Sequence, residues 1–344
     1  MDVAEDPPAS RTRSRPPSMA DVAARAGVSH QTVSRVINDS PSVSPTTRSR
    51  VVAAMDELRY RPNTAARALV TGRSRTLGVL SMSGTLFGPA SVLAGVQAAA
   101  RTADYAVTVV DLPSTQPEAL RRSTGLLLRQ GVDGIVVIAP VPSDGAALLE
   151  AACGVPVVVV EGQPAGEVRV VSVDQVAVGR LATEHLLEAG HRTVWHVAGP
   201  EQWHEAEGRR TGWEQALHRV GAVPPPVLRG DWSPASGYDA GRHLARTDVT
   251  AVFAANDQMA LGVLRALWEQ GRRVPEDVSV VGVDDIPEAS YFSPPLTTVR
   301  QDFRELGRQG LSALLAQVEG QDRGRQRTSI PPTLVTRQSV APPP

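Results

Sequence analysis

The chain has 344 residues, of which 42% are hydrophobic, and a formal net charge of −1. This length is enough for two or three domains, and no apolar run approaches the ~20 residues that a membrane helix needs. The N-terminus lacks the charged and then apolar pattern of an export signal, and Cys153 is the only cysteine, so we exclude an internal disulfide and expect a reducing, cytoplasmic compartment.

The charge is divided unevenly along the chain. Residues 1–75 hold 12 arginines against 7 acids, whereas residues 76–344 hold 23 arginines against 29 acids. The first part therefore has a charge of +5 and the rest a charge of −6. A basic N-terminal part fits a contact with nucleic acid.

The basic part begins with a tail and two short helices. Residues 1–17 are rich in Pro, Ser and Arg, and we expect them to be disordered. Ser18 can cap a first helix together with Asp21, Gly27 ends that helix, and Ser29 can cap a second helix after a very short turn. This spacing predicts a helix-turn-helix.

A third helix follows, with Ser44 as its N-cap and Pro45 at its first position. The apolar residues predicted to pack together are Val22, Ala23, Ala26, Val33, Val36, Ile37, Val51, Ala54, Met55 and Leu58. Residues 18–62 are therefore predicted to form an all-α unit of three helices.

The second helix keeps a polar face that this packing leaves free. The candidate DNA contacts on and beside this face are Ser29, His30, Gln31, Thr32, Ser34, Arg35 and Asn38. The major groove of B-form DNA admits one helix, in which Gln31 suits adenine and Arg35 suits guanine. The alternative is an ordinary solvated helix face, which is the commoner fate of such residues.

From residue 76 onward, apolar strand-like runs alternate with helix-like stretches. The runs are TLGVLSM, AVTVVDL, GIVVIAP, VPVVVV, VRVVSV, TVWHVAG, VTAVFAA and VSVVGVD. This alternation predicts parallel sheets that are built from βαβ units and covered by helices on both faces. Because roughly 270 residues exceed what one such sheet usually needs, we expect two doubly wound α/β lobes with a cleft between them.

The sequence has no motif that is typical of a catalytic or metal site. Its 7 histidines lack metal spacing, and HEAEG lacks the second His of H-E-x-x-H. The common Gly-rich phosphate loops and the G-x-S-x-G elbow are absent as well. We therefore expect no enzyme, no metal and no cofactor.

Several long segments carry a family resemblance. MADVAARAGVSHQTVSRVIN and SPTTRSRVVAAMDELRYRPNTAARAL are similar to the DNA-binding headpiece and hinge of the lactose-repressor (LacI/GalR) family of bacterial transcription regulators. FAANDQMALGVLRAL, VPEDVSVVGVDDIPEASYFSPPLTTVRQDFRELG and RGDWSPASGY are similar to segments of that family's core. The resemblance covers residues 18–341 and implies a periplasmic-binding-protein-like core. Lobe one would span about 76–186 and 303–330, and lobe two about 187–302 and 331–341.

The resemblance assigns residues 63–75 to a hinge helix and linker. Asn63 would cap the hinge helix, while Ala66 and Leu69 would face the partner hinge in the minor groove, with Leu69 inserted at a base step. A flexible linker is the alternative. We expect the segment to be a flexible linker without DNA and a helix when DNA is bound, because an isolated helix this short is only marginally stable. Two headpieces of a homodimer would then read the half-sites of an imperfectly palindromic operator.

The resemblance also implies that a small effector binds between the lobes. The residues at the family's effector positions are Asp174, Arg209, Trp232, Asn256, Asp284 and Phe303. Hydrogen bonds would hold the hydroxyls of a sugar, and aromatic side chains would cover its C–H faces. Met82 and the loop EQWHEAEG differ from the repressor after which the family is named. We therefore expect the effector to be a carbohydrate, a galactoside or a related disaccharide, and assign no single sugar.

The effector positions also have structural alternatives. Asp174 and Asn256 could only cap the helices that follow their strands, and Arg209 could only pair with Glu205 or Glu207. The two aromatic residues could be ordinary core. These alternatives stay open at the level of sequence.

Assembly and function complete the expectations. The run TLVTRQSV is followed only by APPP, without the leucine heptads that favour a tetramer, so we expect a homodimer. We predict a transcriptional repressor at the nucleoid whose operator affinity a sugar controls. A corepressor-type response is an alternative, and a solute-binding protein is a remote one that the headpiece disfavours.

Overall fold

The computed structural model describes residues 15, 17–38, 40–61, 72–82, 84–141, 145–162, 168–321 and 327–344. The chain divides into two units, residues 1–74 and residues 75–344. The predicted hinge contacts Asn63, Ala66 and Leu69 lie outside the described residues, as does nearly all of the predicted tail.

In its described part the first unit has three helices, α1 (Met19–Ala26), α2 (His30–Ile37) and α3 (Pro45–Glu57). Ser18 and Asp21 form a capping box, in which the Ser18 N–H donates to the Asp21 carboxylate at 2.7 Å. Gly27 ends α1 in the left-handed region with φ 63°, and the Ser29 hydroxyl accepts the Thr32 N–H at 3.1 Å. The predicted helix-turn-helix is confirmed.

The three helices enclose a small apolar core. Its buried members are Val22, Ala23, Ala26, Val33, Val36, Val51 and Ala54, and half-buried Ile37, Met55 and Leu58 pack against them. The core contains every residue predicted for it. Arg48 and Arg50 donate to backbone carbonyl oxygens near the ends of α2 and α1, and Arg25 lies 2.6 Å from Glu57 of α3, so three arginines brace the unit.

The second unit alternates strands and helices. Its described strands are β1 (Thr76–Ser81), β2 (Ala106–Asp111), β3 (Gly134–Val141), β4 (Val157–Gly162), β5 (Arg169–Val173), β6 (Trp195–Ala198), β7 (Leu228–Arg229), β8 (Ala251–Ala254), β9 (Ser279–Asp284), β10 (Thr297–Arg300), β11 (Thr328–Ile330) and β12 (Thr333–Val335). Its described α-helices are α4 (Phe87–Thr102), α5 (Pro117–Arg129), α6 (Ala146–Ala152), α7 (Gln175–Glu188), α8 (His204–Arg219), α9 (Pro234–Leu244), α10 (Asp257–Glu269) and α11 (Phe303–Val318). All eight predicted runs contain strands, and the later run TLVTRQSV contains β12; β7, β10 and β11 were not predicted.

The strands form two six-stranded sheets in the orders β11-β5-β4-β3-β1-β2 and β12-β10-β9-β8-β6-β7. Neighbouring strands are parallel throughout, except that β10 and β12 are antiparallel. The chain passes from one sheet to the other after β5, after β10 and after β11. The predicted pair of doubly wound lobes is confirmed. Within the described residues, no helix is long and apolar enough to span a membrane.

The boundary between the lobes needs one correction. The sequence placed residues up to about 186 in lobe one, but α7 packs against α8 and against β8, β9 and β10 of the second sheet. Its buried residues Val178, Ala182 and Leu186 join the same apolar cluster as Trp213 and Phe253. Lobe two therefore begins immediately after β5, because the chain has already crossed when α7 starts.

Glycines let several helices approach one another backbone to backbone. A Cβ at Gly179 of α7 would overlap the carbonyl oxygen of Arg209 in α8, and one at Gly212 would overlap that of Val176. Similar glycine contacts join α4 to α11 and α9 to α10. The contact between α7 and α8 sets Gln175, the first residue of α7, beside Arg209.

We expect Gly212→Ala to destabilise the protein by about 1–3 kcal/mol, the usual range for an overpacked core. The matched control is Gly125→Ala in α5, where a Cβ would meet only the mobile end of Arg129 at 3.5 Å. That change should raise stability by about 0.5–1 kcal/mol because it removes a helical glycine. Urea unfolding of both variants measures the difference, and a Gly212→Ala variant as stable as the parent would contradict the close approach.

Candidate functional site

The polar face of α2 is accessible in the first unit. His30, Gln31, Arg35 and Asn38 are exposed, while Thr32 and Ser34 are half-buried and Ser29 is used as the N-cap. The Ser29 and Thr32 hydroxyls lie 2.9 Å apart, and Asn38 donates to the Ser34 hydroxyl at 3.4 Å. Among the described residues, the Gln31 and Arg35 side chains have no hydrogen bond or ion pair with the protein, which leaves their donors available to a partner.

A cleft in the second unit lies where strands of both sheets end. Met82 follows β1, Glu161 is near the end of β4, and Asn256 and Asp284 stand at the ends of β8 and β9; all of them line the cleft. The cleft has about 680 Å³ of empty space, counting the part open to solvent. Ligands of open α/β sheets bind at the carboxyl ends of the strands, so the position of the cleft in the fold is that of a ligand site.

Five of the six predicted effector residues line this cleft, namely Arg209, Trp232, Asn256, Asp284 and Phe303. Asn256 also caps α10, accepting the Met259 N–H at 2.9 Å, and it donates to the Trp232 carbonyl at 3.0 Å. Asn256 can therefore line the cleft and cap α10 at the same time.

Asp174 is the exception, because it is not among the residues that line the cleft. Its exposed side chain accepts the Ala177 N–H at 2.9 Å as the N-cap of α7. The orphan N–H groups of a helix start attract an acid that precedes it. The next residue, Gln175, lines the cleft instead.

A chain of hydrogen bonds runs through the cleft wall. The Gln301 Nε2 donates to Asp284 at 2.7 Å, and the Gln175 Nε2 donates to the Gln301 Oε1 at 2.7 Å and, more weakly, to Glu161 at 3.4 Å. The Arg209 Nε donates to the Gln175 Oε1 at 2.9 Å. The chain links Asp284 of the second sheet to Glu161 of the first.

Aromatic side chains form the apolar part of the wall. The rings of Trp203 and Trp232 meet edge to face with centroids 5.7 Å apart, and those of Phe87 and Phe303 do so at 5.9 Å. The Arg209 guanidinium lies 5.4 Å from the Trp232 ring centre. Apolar walls with a few fixed polar groups are the usual composition of a site for a small organic ligand.

Buried acids give the cleft its electrostatic character. Burial, with a contribution from the nearby Glu205, raises the pKa of Glu161 to about 8, and burial raises the pKa of Asp284 to about 6. Burial also raises the pKa of Glu205. The positive charge of Arg209 lowers the pKa of all three carboxyls, and burial outweighs it each time.

Three lining residues have a backbone conformation that favours glycine. The φ angles are 57° at Glu161, 74° at Trp232 and 112° at Asp284. Such conformations cost on the order of 1–3 kcal/mol each and concentrate at ligand sites. The fold therefore holds these side chains at the cleft although their backbone φ angles are unfavourable for residues other than glycine.

Family models match both units of the chain. The model of bacterial regulatory proteins of the lacI family matches residues 18–63, and that of the periplasmic binding protein-like domain matches residues 183–340. The chain is 37% identical over 333 residues to the lactose operon repressor of Escherichia coli (strain K12), covering 96% of this chain and 92% of the relative. The chain belongs to the LacI family of bacterial regulatory proteins.

A second relative and two solved structures are also similar to the chain. The HTH-type transcriptional regulator CelR of Thermobifida fusca is 37% identical over 340 residues, covering 95% of this chain and 99% of the relative. A lac repressor dimer bound to operator and the anti-inducer ONPF has a TM-score of 0.87 at 36% identity, over 95% of this chain and 100% of that one. A complex of CelR with cellobiose has a TM-score of 0.71 at 36% identity, over 94% of this chain and 99% of that one.

Sequence reasoning missed part of this LacI-family cleft. Glu161, Gln175 and Gln301 were not named, and Glu205 was considered only as a partner of Arg209. Glu161 and Gln175 are polar residues at or just after the end of an apolar strand, which is the signal that could have found them; Gln301 follows β10 (TTVR), which has no such apolar pattern. The alternative in which Glu207 pairs with Arg209 is wrong, because Glu207 pairs with Arg210.

The pKa of Glu161 predicts a pH dependence of stability. The folded protein keeps the proton up to about pH 8, whereas the unfolded chain loses it near 4.5, so this group makes stability fall as pH rises between those values. We expect Glu161→Gln, which mimics the protonated acid, to weaken this decrease of stability with pH. Its unfolding temperature should equal the parent's near pH 4.5 and exceed it near pH 8.

The control for Glu161→Gln is Glu118→Gln, on the exposed surface of α5, which should track the parent at every pH. Differential scanning calorimetry across the range gives the comparison. Parallel curves for Glu161→Gln and the parent would show that Glu161 ionises normally in the folded protein.

Proposed function

We propose that the chain is a transcriptional repressor that binds an operator through α2 and is controlled by a carbohydrate in the cleft, a galactoside or a related disaccharide. The observation that carries this proposal is the composition of the cleft, in which a hydrogen-bonded polar wall faces aromatic rings. Polar groups of this kind bind hydroxyls, and the rings cover C–H faces. Two similar structures, a lac repressor with ONPF and CelR with cellobiose, support the ligand class.

The operator contacts belong to the same proposal. Exposed Gln31 and Arg35 suit base edges in the major groove, and the other polar residues of α2 suit phosphates. Asn63, Ala66 and Leu69 would form the hinge contacts in the minor groove. A homodimer would read an imperfect palindrome, as the operator-bound dimer of the lac repressor suggests.

The cleft would act as a switch rather than as a catalytic site. Its polar wall joins residues of both lobes, so a bound sugar changes the relative free energies of their arrangements. Operator affinity then changes by the difference between the sugar's affinities for the two states. The curated relatives are regulators, which supports binding without turnover.

The first test replaces Arg35 by Ala. Loss of a bidentate contact to guanine should weaken operator binding by about 1–3 kcal/mol and relax the preference at one base pair. Fluorescence anisotropy on a duplex from the protein's own promoter region, at one fixed salt concentration, measures it. Arg121→Ala, on α5 of the second unit, is the control and should bind like the parent. Unchanged affinity for the Arg35 variant would remove α2 from the proposed interface.

The second test adds lactose, galactose, cellobiose and maltose to the operator complex. We expect one of them to change operator affinity by roughly 5–150-fold, the usual range of allosteric coupling. Arg209→Met should bind operator but lose the response, because it removes a donor from the cleft wall. If a sugar binds the protein, seen by tryptophan fluorescence, and operator affinity stays constant, the switch is wrong.

A further inference from the structure

The cleft is lined by more buried acidic side chains than basic ones. Glu161, Glu205 and Asp284 are 9%, 7% and 8% exposed and all three line the cleft, together with a single arginine, Arg209. Among the described residues none of the three carboxyls makes an ion pair. Buried carboxylates are costly unless a positive charge or several hydrogen bonds compensate them.

Arg209 does not supply that compensation. Its guanidinium donates to the Gln175 Oε1 and to the carbonyl oxygen of Ala255, and neither acceptor is a carboxylate. It acts on the three acids only through its field, and each still holds its proton to a higher pH than usual. Burial thus disfavours the charged form of each acid, and a positive charge placed beside them would favour it.

Three polar atoms of the wall have no hydrogen-bond partner. They are the Glu205 Oε2, the Gln258 Oε1 and the Trp232 Nε1, all on residues that line the cleft. A buried acceptor without a donor is a strongly unfavourable arrangement. A ligand that fits must therefore offer hydrogen-bond donors to Glu205 and Gln258 and an acceptor to Trp232.

The side chains of the cleft suit an organic cation better than a metal ion. Among the described residues, no group of three or more His, Cys, Asp or Glu side chains could hold a metal ion. Trp203, Trp232 and Phe303 line the same space, and aromatic faces attract organic cations. A neutral hydroxyl would satisfy the Glu205 oxygen but leave the excess of acid in place.

We propose that the effector carries a protonated amine, as an amino sugar does, and that the Glu205 carboxylate receives it. Glu161 is the second acid in range, and Gln258 and Trp232 bind the sugar hydroxyls. The ammonium N–H donates to the Glu205 carboxylate. Its positive charge also favours ionisation of Glu161, whose pKa burial raises to about 8: the carboxyl O–H bond of Glu161 breaks and its proton leaves to solvent. This inference rests on the proposed function, since it specifies the effector of the same cleft.

The experiment uses the full chain and three matched disaccharides. The free-amine dimer of β-1,4-linked glucosamine, its N-acetylated form and cellobiose differ only in the group at C2 of each ring, which is an amine, an acetamide or a hydroxyl. Galactosamine, N-acetylgalactosamine and galactose repeat the comparison. Calorimetry near pH 6.5, where an amine is charged, should show the amine binding at least about tenfold more tightly than its hydroxyl and acetamide partners. Repetition in two buffers of different ionisation enthalpy should show proton release with the amine alone.

Glu205→Gln should lose most of the amine preference, whereas the control Glu207→Gln should keep it, because Glu207 pairs with Arg210 outside the cleft wall. Proton release by the parent tests the inference even if the Glu205 variant fails to fold. Equal or weaker binding of the amines, or no binding of either amine at millimolar concentration, overturns it.

Operator binding is measured in parallel to separate the two proposals. If a neutral sugar releases operator and the amines bind no better, the amine inference is wrong and the repressor stands. If an amine binds with proton release but operator is never bound, the repressor proposal is wrong while the cleft chemistry holds.

Discussion

Buried polar groups are costly unless they form hydrogen bonds, and the chain of hydrogen bonds in the cleft wall answers that constraint for the residues that join the two sheets. The hydrogen-bond chain from Glu161 through Gln175 and Gln301 to Asp284 crosses from one sheet to the other. Gln175 stands directly after the first passage of the chain between the sheets, and Gln301 directly before the second. The connections between the lobes and the wall of the binding site are therefore built from the same residues.

Backbone packing supplies the precision that this polar chain requires. Hydrogen bonds weaken steeply when their geometry is poor, so the starts of the helices must be held in place. The glycine contacts between α7 and α8 fix Gln175 relative to Arg209, and those between α4 and α11 do the same near Phe87 and Phe303. Glycines that do not themselves line the cleft thus determine how precisely its wall is formed.

Much of the fold followed from local signals in the sequence. Ser18, Gly27 and Ser29 define the ends of helices through their own backbone and side-chain chemistry, and the apolar runs define strands by period and length. β7, β10 and β11 escaped because they are short and have few apolar residues (LR, TTVR and TSI), whereas the equally short β6 and β8 lie within longer apolar runs. Their pairing is a property of the assembled sheet.

The cleft was less accessible to sequence reasoning. Asp174 and Gln175 are neighbours, and only the three-dimensional start of α7 decides that the first caps the helix while the second enters the cleft. Glu161 follows VVVV and reads as the end of a strand. Its altered acidity arises from burial and from Glu205, which is 44 positions away in the chain. Such long-range electrostatics have no local pattern.

The three arginines that brace the first unit affect how steeply DNA binding should depend on salt concentration. Affinity for DNA falls with added salt in proportion to the number of counterions that the protein displaces from phosphates. Arg25, Arg48 and Arg50 already direct their guanidinium groups to an acid or to backbone carbonyls. The count of arginines in this region therefore overstates the charge available for counterion release, and binding should depend on ionic strength less steeply than the composition implies.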